Sequence, residues 1–191
     1  MKILVTGAKG FVGKNLVSNL YNIKEGKNRT RQLQIEDIFE YDMDSTLEEL
    51  DTYCEHADFV FNLAGVNRPK DQSEFMEGNL GFASVLLDTL KKHKNNCPVM
   101  LSSSIQATLI GRYGDSDYGK SKLAGENLFL IMQKRREQRF WCIVFQTYSG
   151  SGVGQIIIVL WPRSAIILPM VLRLQSMIEI QSWNYFILMI L

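Results

Sequence analysis

Thr6-Gly7-Ala8-Lys9-Gly10-Phe11-Val12-Gly13 follows the apolar run Ile3-Leu4-Val5 and leads into Val12, Leu16, Val17 and Leu20, which recur at a helical period. Strand, glycine turn and helix, in that order, is the context that a G-x-x-G-x-x-G run needs before it means more than a flexible turn. Gly7 permits the tight turn. Gly10 lets the backbone approach a pyrophosphate beside the helix N-terminus, and Gly13 allows close packing of helix on strand. A glycine turn without a ligand is the competing reading, and the placement between strand and helix weighs against it.

Working outward, Lys24 to Gln32 reads as a polar loop, Leu33 to Tyr41 as a second strand, and Thr46 to Tyr53 as a short helix capped by Asp44 or Ser45. Asp58 to Gly65 is a third strand with a glycine stop. Glu74 to Lys94 carries Leu80, Ala83, Leu86, Leu87 and Leu90 at helical spacing, Pro98 to Ser102 supplies a fourth strand, and Tyr118 to Gln133 another helix. Strands alternating with helices predict an α/β fold, a Rossmann-like doubly wound parallel sheet, here incomplete in its C-terminal half.

Such folds place an adenosine-ribose reader at the end of the second strand, where Glu40 and Asp42 stand. A carboxylate of Asp42 accepts from a ribose 2′-hydroxyl and repels a 2′-phosphate, which favours NAD. Arg29 and Arg31 in the preceding loop offset that preference, so NAD and NADP both stay open. A solvated surface role for Asp42 competes evenly with the ligand role.

Tyr118-Gly119-Lys120-Ser121-Lys122 is a Y-x-x-x-K pair, with phenol and ammonium on one helix face. The spacing alone is common on solvated helices. It gains meaning from Ser102-Ser103-Ser104 at the end of the preceding strand, because ligands of parallel sheets bind at the carboxyl ends of strands. A phenol of ordinary pKa about 10 must exchange a proton with a hydroxyl or carbonyl as hydride moves, and a neighbouring cation stabilises its phenolate. Lys122 supplies that cation and a serine polarises the substrate oxygen.

The balance of 21 Lys+Arg against 20 Asp+Glu gives no field that would recruit nucleic acid or an acidic membrane. A small molecule is the expected partner. Cys54, Cys97 and Cys142 lack a C-x-x-C spacing and read as reduced, buried thiols, and no metal-ligand set is assigned. Met1-Lys2 leads straight into the first strand without the n-region and h-region of a signal peptide, so a cytoplasmic location is expected.

These residues resemble the extended short-chain dehydrogenase/reductase family through Thr6 to Gly13, Asn62 to Gly65, Ser102 to Ser104 and Tyr118 to Lys122, a likeness covering residues 1 to about 130. Ile3 to Leu16, Asn62 to Pro69 and Ser102 to Ala107 are similar in more detail to the CapF type of capsular-polysaccharide enzymes. That resemblance implies an N-terminal reductase domain acting with NAD or NADP on a UDP-linked 4-keto-6-deoxy-N-acetylhexosamine, followed by a C-terminal cupin that nothing in these 191 residues matches. It implies a pyrophosphate site at Gly7, Gly10, Phe11 and Val12, adenine-side backbone at Leu63 and Ala64, further cofactor contacts at Gly13, Gly65 and Lys122, and catalysis by Ser104, Tyr118 and Lys122, with Ser103 as the rival serine. The helices Glu74 to Lys94 and Tyr118 to Gln133 commonly form a homodimer face in that family. A nucleotide-sugar epimerase or dehydratase, and a non-catalytic dinucleotide-binding module, are the alternative readings.

Past residue 131 the character changes: from Trp141 to Leu191 the charged residues are Arg163, Arg173 and Glu179. The sugar-binding R-x-x-N-x-(F/Y)-G signature expected from the resemblance is missing. Reading permissible codons for Met132 onward in a neighbouring frame, with synonymous choices made towards that target, yields a stretch containing RFPNLFG. The expectation is therefore a dinucleotide-binding domain over 1–130 and an out-of-frame apolar tail over 131–191, with a frameshift near Leu130, poor stability and little activity. A membrane anchor at Ile156 to Leu172 is the rival reading, which Pro162, Arg163 and Pro169 interrupt short of the ~20 residues a span needs.

Overall fold

The computed structural model describes residues 1–28, 33–67, 69–136, 140–148 and 155–161. Its sheet is organised by the two-residue period of the first strand. In β1 (Lys2–Thr6), Ile3 and Val5 point to one face and meet Leu16, Val17 and Leu20 of α1 (Phe11–Lys24). Leu4 points to the other face, where α2 (Leu47–His56), α4 (Phe82–Lys92) and α5 (Asp117–Arg136) contribute Leu50, Leu86, Leu87, Leu90 and Phe129. In β3 (Phe59–Asn62), Phe59 and Phe61 join the first cluster and Val60 the second. Helices thus cover both faces, which is why the central strands read as continuous apolar runs. Burying each such side chain contributes about 1.5–3 kcal/mol relative to exposure.

Strand order is β2-β1-β3-β4-β5-β6, with β2 at Asp37–Tyr41, β4 at Val99–Ser104, β5 at Phe140–Tyr148 and β6 at Gln155–Trp161. The first five are mutually parallel and β6 runs antiparallel to β5. This is the expected Rossmann-like, doubly wound sheet. Its topological switch point lies between β1 and β3, so the ends of those strands open the crevice where ligands of such sheets bind.

Several boundaries move. The second strand begins at Asp37, not Leu33. The cap of α2 is Thr46, neither Asp44 nor Ser45: its hydroxyl accepts from Glu49 N (3.2 Å) and the Glu49 carboxylate accepts from Thr46 N (2.7 Å), a reciprocal capping box. The helix expected over 74–94 is broken into α3 (Ser73–Phe75), a π-helical segment Met76–Gly81, and α4. The wider π turns displace the apolar register, so that Asn79 is buried and Leu80 only partly so.

The sequence pattern predicts no strand beyond Ser102. The fold adds β5, registered from Val99↔Phe140 to Ser104↔Phe145, and β6, both on the same sheet. The front of the apolar run weighed as an anchor, through Trp161, is β6, and residues 162–172 lie outside the described residues. Among the described residues no helix is long and apolar enough to cross a membrane.

Candidate cofactor and catalytic site

The glycine loop closes at the switch point because three of its residues lack a side chain. Gly7 adopts φ +69°, and a Cβ there would lie 2.8 Å from the amide nitrogen of Ala64. A Cβ on Gly13 would lie 2.1 Å from the Gly7 carbonyl oxygen, so α1 rests directly on the turn. Gly10 is the N-cap of α1, with no side-chain cap and no acidic residue in the first turn. The helix therefore presents backbone N–H groups to whatever occupies the crevice, an arrangement suited to phosphate. Behind the loop, the Thr6 hydroxyl donates to Asn62 Oδ1 (2.8 Å) and accepts from Ala64 N (3.3 Å), tying the ends of β1 and β3 together.

Gly7, Gly10, Phe11, Val12, Gly13, Leu63 and Gly65 line one cavity of about 850 Å³, and Ser104, Tyr118 and Lys122 line the same cavity. Its volume lies within the range of small-molecule and cofactor sites. Phe11, 73% exposed, stands at its edge. Ala64 and Asp42 are not among the lining residues. The Asp42 carboxylate instead accepts from the backbone N–H of Lys9 (2.7 Å) and of Met43 (2.8 Å), and the Lys9 ammonium pairs with Asp44. Asp42 thus fastens the glycine loop to the end of β2. The Glu40 carboxylate accepts from the Tyr21 hydroxyl (3.2 Å), and Arg29 and Arg31 lie outside the described residues.

The other half of the cavity is built where α5 crosses the end of β4. Ser116 Oγ accepts from Gly119 N (2.9 Å) at the start of α5, and a Cβ on Gly119 would lie 2.3 Å from the Gln106 carbonyl oxygen. Only glycine lets the helix come this close. Tyr118 then packs its ring against Phe75 (centroids 5.6 Å apart), and the Lys122 ammonium stands 5.7 Å from the centre of the Tyr118 ring. Lys122 is buried and donates to the Ser102 carbonyl (3.4 Å).

Burial pushes the Tyr118 phenol above its ordinary pKa, and the hydrogen bond with the Ser104 side chain pulls it back down. Burial lowers the Lys122 amine to about 8, opposed by Cys142 and Glu126. At neutral pH the pair is a protonated phenol beside an ammonium, the state able to give up a proton. The Ser103 hydroxyl donates to the Glu126 carboxylate and is not part of the cavity wall, whereas Ser104 is.

Asn79 was absent from the sequence-derived site. Its Oδ1 accepts from Val66 N (3.1 Å), and its Nδ2 donates to Val66 O (3.1 Å) and to Ser121 Oγ (2.9 Å), joining the loop after β3 to α5. A polar residue amid the apolar positions of 74–94 was the available signal. Gln106 and Tyr113 also line the cavity, from a short segment without periodicity to mark it. Among the described residues no group of three or more His, Cys, Asp or Glu is placed to hold a metal ion.

Known proteins resemble this chain in sequence and fold. A reductase of Pseudomonas aeruginosa (strain ATCC 29260 / PA103), UDP-2-acetamido-2,6-beta-L-arabino-hexul-4-ose reductase, is 36% identical over 132 residues, covering 69% of this chain and 32% of its own length. The crystal structure of the capsular polysaccharide assembling protein CapF from Staphylococcus aureus superposes with a TM-score of 0.59 at 34% identity, covering 79% of this chain and 39% of that one. UDP-glucuronic acid 4-epimerase from Bacillus cereus, solved with NAD, shares the fold at a TM-score of 0.55 and 22% identity, over 74% of this chain and 55% of its own. The chain thus spans less than half the length of the reductase and of CapF. Residues 3–158, from β1 into β6, match the NAD dependent epimerase/dehydratase family, and the chain belongs to that family.

Proposed function

We propose that this site reduces the keto group of a UDP-linked 4-keto-6-deoxy-N-acetylhexosamine, with NADPH or NADH, in the synthesis of capsular or O-antigen polysaccharide precursors. The observation that carries the reading is the convergence of Ser104, Tyr118 and Lys122 on the cavity whose other end is the glycine loop. The similarity to a UDP-sugar 4-ketoreductase supports the substrate class.

When bound, the nicotinamide supplies the hydride. Gly10, Phe11, Val12 and Gly13 hold the pyrophosphate at the start of α1, and Leu63 and Gly65 form the backbone wall beside it. Ser104 donates to the keto oxygen and orients it. Tyr118 delivers its phenolic proton to that oxygen, and the Lys122 ammonium stabilises the phenolate left behind. Met76, Val85 and Ile131 are exposed apolar side chains on the helical layer, which fits a homodimer face there.

The expected turnover of the 191-residue chain is low, because the reading frame changes near Leu130 and the R-x-x-N sugar-binding signature is lost. The test is nicotinamide oxidation with the keto sugar nucleotide by this chain, by its Tyr118→Phe variant and by a chain with the frame restored after Leu130. Turnover abolished by Tyr118→Phe supports the reductase. Cofactor binding with no turnover in any chain would leave a dinucleotide-binding module instead. Gene sequence through codons 125 to 145 without a compensable frame would overturn the frameshift.

A further inference from the structure

Glu126 is a carboxylate only 4% exposed, one helical turn after Lys122 on the same face of α5. A buried charge is tolerated where partners compensate it. The Ser103 hydroxyl donates to Glu126 Oε1, and the Cys142 thiol of β5 lies 3.8 Å from the same oxygen. Lys122, 8% exposed, donates to the carbonyl of Ser102, the residue before Ser103. Ammonium and carboxylate are therefore anchored at adjacent residues of β4, with Tyr118 one turn before Lys122 and Glu126 one turn after it.

The groups around the ammonium make Glu126 the available counter-charge. From α5 the centre of the Tyr118 ring lies 5.7 Å from Nζ, and Glu126 of α5 and Cys142 of β5 act on it electrostatically. From β4 it meets the Ser102 carbonyl, and from the loop after β3 it meets Gly65, where a Cβ would lie 2.9 Å from Nζ. The nearby π segment contributes the neutral amide of Asn79.

We propose that Glu126 is a positioning residue whose carboxylate, held by Ser103, keeps Lys122 in its ammonium form beside Tyr118. This rests on the reading of Tyr118 and Lys122 as the reacting pair. Loss of that charge removes one of the two groups, Cys142 being the other, that oppose burial, and burial favours the neutral amine. A neutral Lys122 no longer stabilises the phenolate.

The test is an NMR titration of the full chain labelled with ¹³C at lysine Cε and glutamate Cδ, with the Lys122 signal assigned by its loss in Lys122→Arg. In the unmodified chain burial is expected to bring the Lys122 titration down to about 8. Glu126→Gln, which keeps the shape and removes the charge, shifts that titration down by about one unit or more, a tenfold change in ionisation. Glu126→Asp, which keeps the charge, leaves it within about half a unit. An unchanged Lys122 titration in folded Glu126→Gln overturns the proposal. So does a Glu126 signal of the protonated acid at pH 7 in the unmodified chain, which needs no variant to fold. The titration is read without substrate, so it stands apart from the turnover test: activity surviving Tyr118→Phe would remove the reductase reading, not the coupling of Glu126 to Lys122.

Discussion

The side chain of Asn79 brackets the peptide of Val66, accepting from its N–H and donating to its carbonyl at 3.1 Å each. The remaining N–H of the amide reaches Ser121 Oγ, which in turn donates to the Tyr118 carbonyl at 2.8 Å. The loop that walls the cavity and the helix that carries the phenol are thereby held by one side chain.

Replacing Asn79 with Leu leaves the polar groups of Val66 without this partner in a partly buried setting. A loss of about 2–3 kcal/mol is expected in urea unfolding, the scale of buried polar groups stripped of their partners. Cofactor affinity should fall with it. Unchanged stability and affinity would show that the bracket is incidental.

The glycines separate into two kinds. Gly13→Ala places a methyl group 2.1 Å from the Gly7 carbonyl oxygen, backbone that cannot yield cheaply, and should unseat α1 and abolish cofactor binding. Gly125, inside α5, has nothing within 4 Å of an added Cβ. Gly125→Ala should therefore stabilise the chain by about 0.5–1 kcal/mol through helix propensity. Thermal melts of both variants decide between these outcomes.

How much of this was legible follows from how local each signal is. The glycine loop and the Tyr118–Lys122 pair are set by spacing along one element, and both appear where expected. The resemblance puts Ser104 ahead of Ser103, a ranking that spacing alone does not give; a strand sends neighbouring residues to opposite faces, and in the fold Ser103 turns to Glu126 while Ser104 lines the cavity. Asp42 stands at the end of β2, where a carboxylate suits a ribose, and its bonds from the Lys9 and Met43 amides are a local role that position alone does not announce. Asn79 was hidden by the π segment, which shifts the helical period used to find the core.

Cys54 and Cys97 are buried, and burial pushes both thiols up to about 12. Since the folded state favours the neutral thiol, their contribution to stability is complete below the unfolded value of about 9 and is lost as pH rises towards 12. At pH 8 a thiol-exchange reagent should modify them only as fast as the chain unfolds. Rapid reaction of either under native conditions would contradict the packing around α2 and β4.

Titration of the purified chain with NADH and NADPH, followed by nicotinamide fluorescence, tests whether one cavity joins a dinucleotide cradle to a proton-donating pair as proposed. Saturable binding of at least one of the two is expected, kept in Tyr118→Phe and lost in Gly13→Ala. A folded chain that saturates with neither, or a Gly13→Ala variant that binds as the parent does, would contradict it.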